Sequence, residues 1–185
     1  MKMLYAFSFL ITLFGCAIKS QDGNQPPKGE IVRYLYKYKD ASSVPIIYYE
    51  VARNENGITT LSVSKSENEI TIYKIDDNTL TKIDSLVKEY KVYKIKRSYR
   101  TPLDVKDGWS WDIKVEYCYS PALKKSSEPQ KNCISSHGYN YPLKRLPRWK
   151  QGIYAANDLI ESILEGLTDD DIIGKELHYK PKGKD

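Results

Sequence analysis

Histidine is the side chain best suited to acid–base chemistry near neutral pH, and this chain contains two of them. His137 follows Ser135 and Ser136 in a run predicted to be a strand, which offers a serine–histidine pair that could activate a hydroxyl nucleophile. Neighbouring strand residues point to opposite faces, however, and no orienting carboxylate stands beside the pair in the sequence. A small hydrolase working through His137 is therefore a minor hypothesis, and a hydrogen-bonded or exposed sheet residue is the favoured interpretation. The second histidine, His178, falls in a polar tail.

Two groups of adjacent carboxylates, Asp76-Asp77 and Asp169-Asp170-Asp171, could serve acid–base chemistry or bind calcium. Both fall in predicted turns or in the tail, so solvated loop residues are the favoured interpretation. The chain has no phosphate-binding glycine loop, no His-Glu-x-x-His, no dinucleotide fingerprint and no Gly-x-Ser-x-Gly elbow. We therefore predict a protein without catalytic residues, metal or cofactor.

Cys16 closes an N-terminal segment with the features of an export signal. Lys2 supplies a basic start, and Leu4 to Phe14 is an apolar run far shorter than the ~20 residues that span a bilayer. Leu13-Phe14-Gly15-Cys16 then places a small residue directly before a cysteine, which predicts lipidation at Cys16 after removal of residues 1–15. The alternative is ordinary cleavage near Ser20-Gln21, which would give a freely secreted protein.

Cys118 and Cys133 are then an even pair in an oxidising compartment. They stand at the mouth of a predicted hairpin, where cross-strand neighbours come within disulfide reach. Closing a loop of about fifteen residues contributes about 3 kcal/mol in the chain-entropy model. We predict a structural disulfide, with a redox or metal role as the alternative.

The chain contains sixteen tyrosines, many of them in predicted strands. Tyrosine is a good strand residue with an apolar body and a polar tip, so strand propensity explains most of this enrichment. The alternative is an aromatic face that stacks on a sugar ring or a partner protein. The residues of this possible binding surface are Tyr34, Tyr36, Tyr38, Tyr48, Trp109, Trp111, His137 and Tyr139.

Alternation of apolar and polar residues predicts most of the sheet, and the run from Trp109 to Tyr117 is the clearest example. Apolar residues at steps of three and four predict two helices, with Asp77 or Asn78 as the N-cap of the first. The predicted strands cover 30–39, 46–53, 58–65, 69–75, 91–99, 109–118 and 133–139, and the helices 79–90 and 147–166. The fold class is therefore α+β: an antiparallel sheet of about six to seven strands with two helices packed on one face.

Four regions follow: a signal peptide (1–15), a flexible tether (16–29), a single α+β domain (30–166) and a polar, loosely ordered tail (167–185). The formal net charge is +5. Because acidic residues are interleaved with the lysines, the excess of positive charge indicates a solvated surface. We therefore expect no nucleic-acid partner.

Two motifs resemble small exported bacterial lipoproteins of unknown function: the Asp-Gly-x-x-Trp strand that begins at Asp107 and the Gly-Tyr-x-x-Pro segment that ends at Pro142. The likeness extends over roughly residues 30–166, together with the lipobox-like end of the leader. It implies export and this fold, and it assigns no activity or site residue.

The sequence therefore favours a lipid-anchored cell-envelope protein in the outer membrane or periplasm that binds or scaffolds a protein or glycan partner without catalysis. The alternative is a periplasmic inhibitor or immunity protein that blocks an enzyme such as a cell-wall hydrolase. In that case the loop between Tyr119 and Asn132, held at its base by the disulfide, would act as a plug.

Overall fold

A computed structural model describes residues 19–20, 25–39, 45–64, 69–99, 110–119, 130–139 and 146–177 of the chain. It confirms the α+β class, with one mostly antiparallel sheet and two helices on one of its faces. Within the described residues the sheet has nine strands, more than the six to seven predicted. The additional strands include short pieces at the sheet edge and one in the segment predicted to be a tail.

The strands, in chain order, are β1 (Lys19–Ser20), β2 (Glu30–Lys39), β3 (Pro45–Arg53), β4 (Thr59–Ser64), β5 (Glu69–Lys74), β6 (Ser98–Tyr99), β7 (Ser110–Tyr119), β8 (Gln130–Tyr139) and β9 (Ile172–Leu177). The helices are α1 (Asn78–Glu89) and α2 (Arg148–Glu165), and Val92–Lys94 and Asp169–Asp171 form short 3₁₀ turns. Across the sheet the order is β1-β8-β7-β2-β3-β4-β5-β9, and β6 also pairs with β8.

The β7–β8 hairpin is the strand pair that the alternation from Trp109 predicts. Trp111 lies opposite Gly138 and Ile113 opposite Ser136, and all four residues are buried on the face that carries the helices. A side chain at position 138 would meet the Trp111 ring, since an ideal Cβ there lies 2.7 Å from its Cζ2. Glycine therefore lets the Trp111 indole approach the β8 backbone closely.

The first strand differs from its predicted alternation at one point. The register between β2 and β7 shifts between Ile31 and Arg33, so Val32 is an extra residue. A bulge of this kind reverses the facing of the residues before it. Ile31 consequently joins Tyr34 in the core, whereas strict alternation placed Ile31 on the opposite face.

Tyrosine hydroxyls join the sheet to both helices. Tyr34 is fully buried, and its hydroxyl donates to Asn157 Oδ1 of α2 at 2.9 Å. Tyr117, also fully buried, donates to Asp84 Oδ1 of α1 at 3.0 Å. Each ring fills the core while its hydroxyl satisfies a polar group on a helix, and this explains why buried strand positions hold tyrosine.

Two predicted boundaries were wrong. Residues 91–99 do not form a continuous strand: Val92–Lys94 is a 3₁₀ turn and only β6 pairs with the sheet, because Val92, Tyr93 and Ile95 turn their side chains into the core. Residues 172–177 are not tail but β9, antiparallel to β5, so the domain extends past residue 166.

The predicted tether is also partly tied to the sheet. β1 pairs in parallel with β8, Pro27 is buried, and Asn132 donates a hydrogen bond to the Lys28 carbonyl oxygen. Along its other half, the same edge of β8 pairs with β6. Two short strands thus cover an edge that would otherwise be open to another chain. No helix among the described residues is both long and apolar enough to cross a bilayer.

Candidate functional site

The predicted aromatic surface does not form one surface. Tyr34, Tyr36 and Trp111 lie on the helix face of the sheet and are at most 7% exposed. Their inclusion in a binding surface was wrong, because the helices cover that face and the three rings fill the core beneath them. Alternation alone identifies the residues that share a face, and the packing of the helices decides which of the two faces is buried.

The remaining members of that set are scattered. Tyr38 is half-buried beside the core, whereas Tyr48 and His137 lie on the opposite, helix-free face, which we call the open face. Trp109 and the side chain of Tyr139 lie outside the described residues, as does the predicted lipidation site Cys16.

The open face carries a chain of ion pairs across its central strands. Arg33 Nε lies 2.6 Å from Glu50 Oε1, and Arg33 Nη1 lies 3.9 Å from Glu116 Oε1. Lys114 forms an ion pair with Glu116 from the other side, and the Tyr48 hydroxyl donates a hydrogen bond to Glu50. Burial alone would lower the pKa of Arg33, but the two carboxylates outweigh it and raise that pKa. These charges neutralise one another and stabilise the face.

Beside this network the open face holds a small apolar cluster of Leu35, Tyr48 and Ile70, with Ile72 against it. Burial, together with the hydrogen bond to Glu50, raises the pKa of Tyr48 well above its ordinary value. Lys37 lies over the Tyr48 ring, with its Nζ 5.3 Å from the ring centroid. The Tyr48 phenol therefore stays neutral, and its role is to pack within the sheet.

The strand register gives His137 a neighbour that the sequence did not indicate. Asp112 of β7 lies directly opposite His137 of β8 on the open face, and Ser135 lies opposite Lys114. Ser136 is on the other face, where it is buried and its hydroxyl donates to the Lys96 carbonyl oxygen. Ser136 therefore cannot act with His137. Ser135 shares the face of His137 but lies two residues along the strand, about 6.6 Å away, which is beyond hydrogen-bond distance.

An open groove lies between the start of α1, the end of α2 and β9, with a volume of about 690 Å³. Four aliphatic side chains from three different parts of the chain line it: Ile75, Ile163, Leu167 and Ile173. The rest of the lining consists of Thr79 and the charged residues Lys74, Asp76, Lys82, Asp170 and Asp171. An apolar lining with charged groups beside it can bury an aliphatic or aromatic anchor and orient it by its polar neighbours.

Several groups around the groove are held in place by hydrogen bonds. Asp76 accepts from the Asn78 backbone N–H at 2.9 Å, at the start of α1. Asp171 accepts from the Thr168 N–H at 2.9 Å and from the Thr168 hydroxyl at 3.0 Å. Ile173 is unusually open for an isoleucine, with 54% of its surface exposed. A fixed polar frame around an accessible aliphatic side chain makes this groove a candidate binding site.

Sequence reasoning missed this groove because it assigned residues 167–177 to a tail. A signal was present in Ile172-Ile173, a β-branched pair directly after the acidic turn, which is typical of a strand. The part of the chain that the structure describes contains no cluster of three or more His, Cys, Asp or Glu side chains arranged to hold a metal ion.

Cys118 and Cys133 are both unbonded in the structure. The register places Cys133 opposite Glu116 and Cys118 opposite Lys131, so the thiols are diagonal neighbours on the open face. Diagonal Cα atoms are typically about 7–8 Å apart, slightly beyond the usual range for a disulfide. The predicted bond needs a modest backbone shift and stays a prediction. Burial raises the pKa of the Cys133 thiol.

Comparisons of this chain with family models, with curated proteins and with solved structures found no match.

Proposed function

We propose that this protein is a lipid-anchored component of the cell envelope that binds a partner without catalysing a reaction. The observation that carries the proposal is Leu13-Phe14-Gly15-Cys16 at the end of a short apolar leader with a basic start. A leader of this kind directs export, and a cysteine after a small residue is where a lipid would be attached. The α+β domain then follows its tether outside the cytoplasm.

The anchor is tested by fractionating cells that express the chain and its Cys16→Ala variant. Lipidation predicts that the wild-type chain sediments with membranes and that globomycin blocks its processing. It also predicts that the variant is not processed at this position. A wild-type chain that stays soluble and is processed identically with and without globomycin would contradict the anchor and favour the freely secreted form.

For the binding role we propose the groove beside β9 as the contact site. Its support is the combination of an aliphatic lining and the exposed Ile173. Aliphatic side chains in a groove are suited to an apolar anchor on a protein, and the charged groups beside them would orient it. A protein partner therefore fits this groove better than a glycan.

A photo-activated cross-linking residue at position 173, introduced into the full chain in cells, tests this role. Leu146 is the matched control, because it is also an exposed aliphatic residue (40%) and lies at the other end of α2. A discrete adduct from position 173 but not from position 146 supports the groove. Adducts of equal yield from both positions would refute it. If the captured partner is an enzyme whose activity falls in proportion to added protein, the function is that of an inhibitor.

A further inference from the structure

The segment of residues 88–97, from the last turn of α1 to the residue before β6, concentrates positive charge. Its five basic residues are all exposed: Lys88, Lys91, Lys94, Lys96 and Arg97. Glu89 is its single acidic residue. The segment therefore carries a net formal charge of +4. The interleaving of charges along the whole sequence hides this concentration. We call the segment the basic ridge.

The basic ridge is held firmly against the domain. Val92, Tyr93 and Ile95 are buried in the core, and they alternate with the outward-facing lysines. The Lys96 carbonyl oxygen accepts the buried hydroxyl of Ser136, and the Arg97 carbonyl oxygen accepts the His137 N–H. Its cations are therefore presented on an ordered backbone, which lowers the entropic cost of using them together.

Most of the ridge cations have no ion pair among the described residues. Arg33, Arg53, Lys114 and Lys175 each form an ion pair with a glutamate. In the basic ridge, Lys88 pairs with Asp84 at 2.6 Å, whereas the other four cations have no ion pair with a carboxylate of the described residues. The negative end of the α1 dipole accounts for cations at Lys88 and Lys91 but does not reach those from Lys94 onward.

Lys91 adds a second observation. It has φ +55°, ψ +41°, the left-handed conformation that ends many helices, and it is the one non-glycine residue with positive φ in the described part of the chain. Glycine is the usual residue there, because a side chain in this conformation is strained. A lysine at this position adds charge to the ridge at the expense of backbone strain.

We propose that the basic ridge docks on an anionic lipid surface. This inference rests on the proposed lipid anchor, which would hold the domain beside a membrane, where basic residues near the surface gain affinity for anionic headgroups. The ridge turns its apolar side chains inward and presents cations outward, so it lacks the apolar centre of a protein interface. It also lacks the exposed aromatic platform on which single-stranded nucleic acid stacks, as Tyr93 is buried. Binding to a layer of phosphate headgroups requires only accessible positive charge.

The test measures partitioning of the full chain, in a Cys16→Ala background, onto phosphatidylcholine vesicles with and without 30% phosphatidylglycerol. The unlipidated background separates the ridge from the anchor. The leader is the same in every variant. Differences between variants in the ratio of partitioning onto anionic vesicles to partitioning onto neutral vesicles therefore report the contribution of the substituted residues. The variant is Lys94→Gln/Lys96→Gln/Arg97→Gln. Its matched control loses three exposed lysines elsewhere that also have no ion pair among the described residues: Lys28→Gln/Lys74→Gln/Lys82→Gln.

Each basic residue near an anionic surface contributes about fivefold to binding, so we expect the ridge variant to lower the ratio on the order of 100-fold at 0.1 M salt. The control should lower it less than tenfold, and 0.5 M salt should remove the difference by screening. A ridge variant that partitions like its control, or a parent chain that does not distinguish the two vesicles, would overturn the proposal. Neither result bears on the anchor, which Cys16→Ala tests in cells.

A second variant excludes loss of folding as the cause. Lys91→Gly removes one ridge charge and also relieves the positive φ, so we expect it to raise the melting temperature while lowering the partition ratio about fivefold. A Lys91→Gly chain that is more stable and binds anionic vesicles as well as its parent would count against the ridge.

Discussion

Gly152 sets the distance between α2 and the segment that precedes β6, and Gly152→Ala tests that contact. It lies buried within α2, and an ideal Cβ there would be 2.5 Å from the Tyr90 Cβ and 2.8 Å from the Val92 Cγ2. Both separations are shorter than real Cβ contacts allow. The Tyr90 Cβ is attached directly to the backbone, so it cannot turn away, and the substitution must push the two elements apart.

Two effects of this substitution oppose each other. Alanine improves helix propensity by about 1 kcal/mol, whereas overpacking a tight contact costs typically about 1–3 kcal/mol. With two severe contacts, we take the upper end of that cost and expect a net loss of about 2 kcal/mol in the free energy of unfolding. For a chain of this size the loss corresponds to a fall in melting temperature of about 4–8 °C. Urea denaturation followed by circular dichroism measures it, with an unchanged m-value showing that the same structure unfolds.

Gly166→Ala is the control in the same helix. Gly166 is the C-cap with φ −93°, and a Cβ there would meet only the Ile163 carbonyl oxygen, at an ordinary 3.6 Å. This variant should be as stable as the parent or more so by about 0.4–1 kcal/mol. If Gly152→Ala equals Gly166→Ala in stability, the close crossing of α2 over Tyr90 and Val92 is not a constraint and the argument fails.

Three further predictions concern the buried hydroxyls, high pH and the thiols. Tyr34→Phe should cost about 1–3 kcal/mol of unfolding free energy by leaving the buried Asn157 carbonyl without its donor, and a urea curve equal to that of the parent would contradict this. Burial raises the pKa of Tyr34 and Tyr36 far above 10, so both stay neutral in the folded chain while the unfolded chain ionises. The stabilisation from these two tyrosines should therefore be complete below pH 10 and fall as the pH rises beyond it. The 295 nm phenolate absorbance of these two groups should appear only when the chain unfolds. Titration of Tyr34 and Tyr36 near pH 10 in the folded chain would disprove their burial. Under the proposed export, the Cys118–Cys133 disulfide should form, and peptide mapping after alkylation without reductant checks this, with two alkylated cysteines as the contrary result.

Local patterns in the sequence were enough for the fold class and for most elements. The predicted first strand matches β2 residue for residue, and the predicted helix from 79 to 90 differs from α1 by one residue at each end. The bounds of these segments were predictable because each period is long enough to identify the element without knowledge of any neighbour, although the bulge at Val32 reverses the facing of Ile31. The leader predicted before Cys16 rests on the same kind of local signal, because it depends on composition and order alone, and it stays a prediction.

Tertiary contacts determine structural features that the periodicity of the sequence does not show. The bulge at Val32 exists because β2 must match β7, so no local signal in β2 places Ile31 in the core. The groove beside Ile173 needs β9 to pair with β5, and strand pairing depends on distant partners. The basic ridge shows its concentrated charge only once Val92 and its apolar neighbours turn inward. Regular alternation in a sequence therefore indicates which residues share a face, whereas a bulge such as the one at Val32, the face that is buried and the residues that meet across it depend on parts of the chain far apart in sequence.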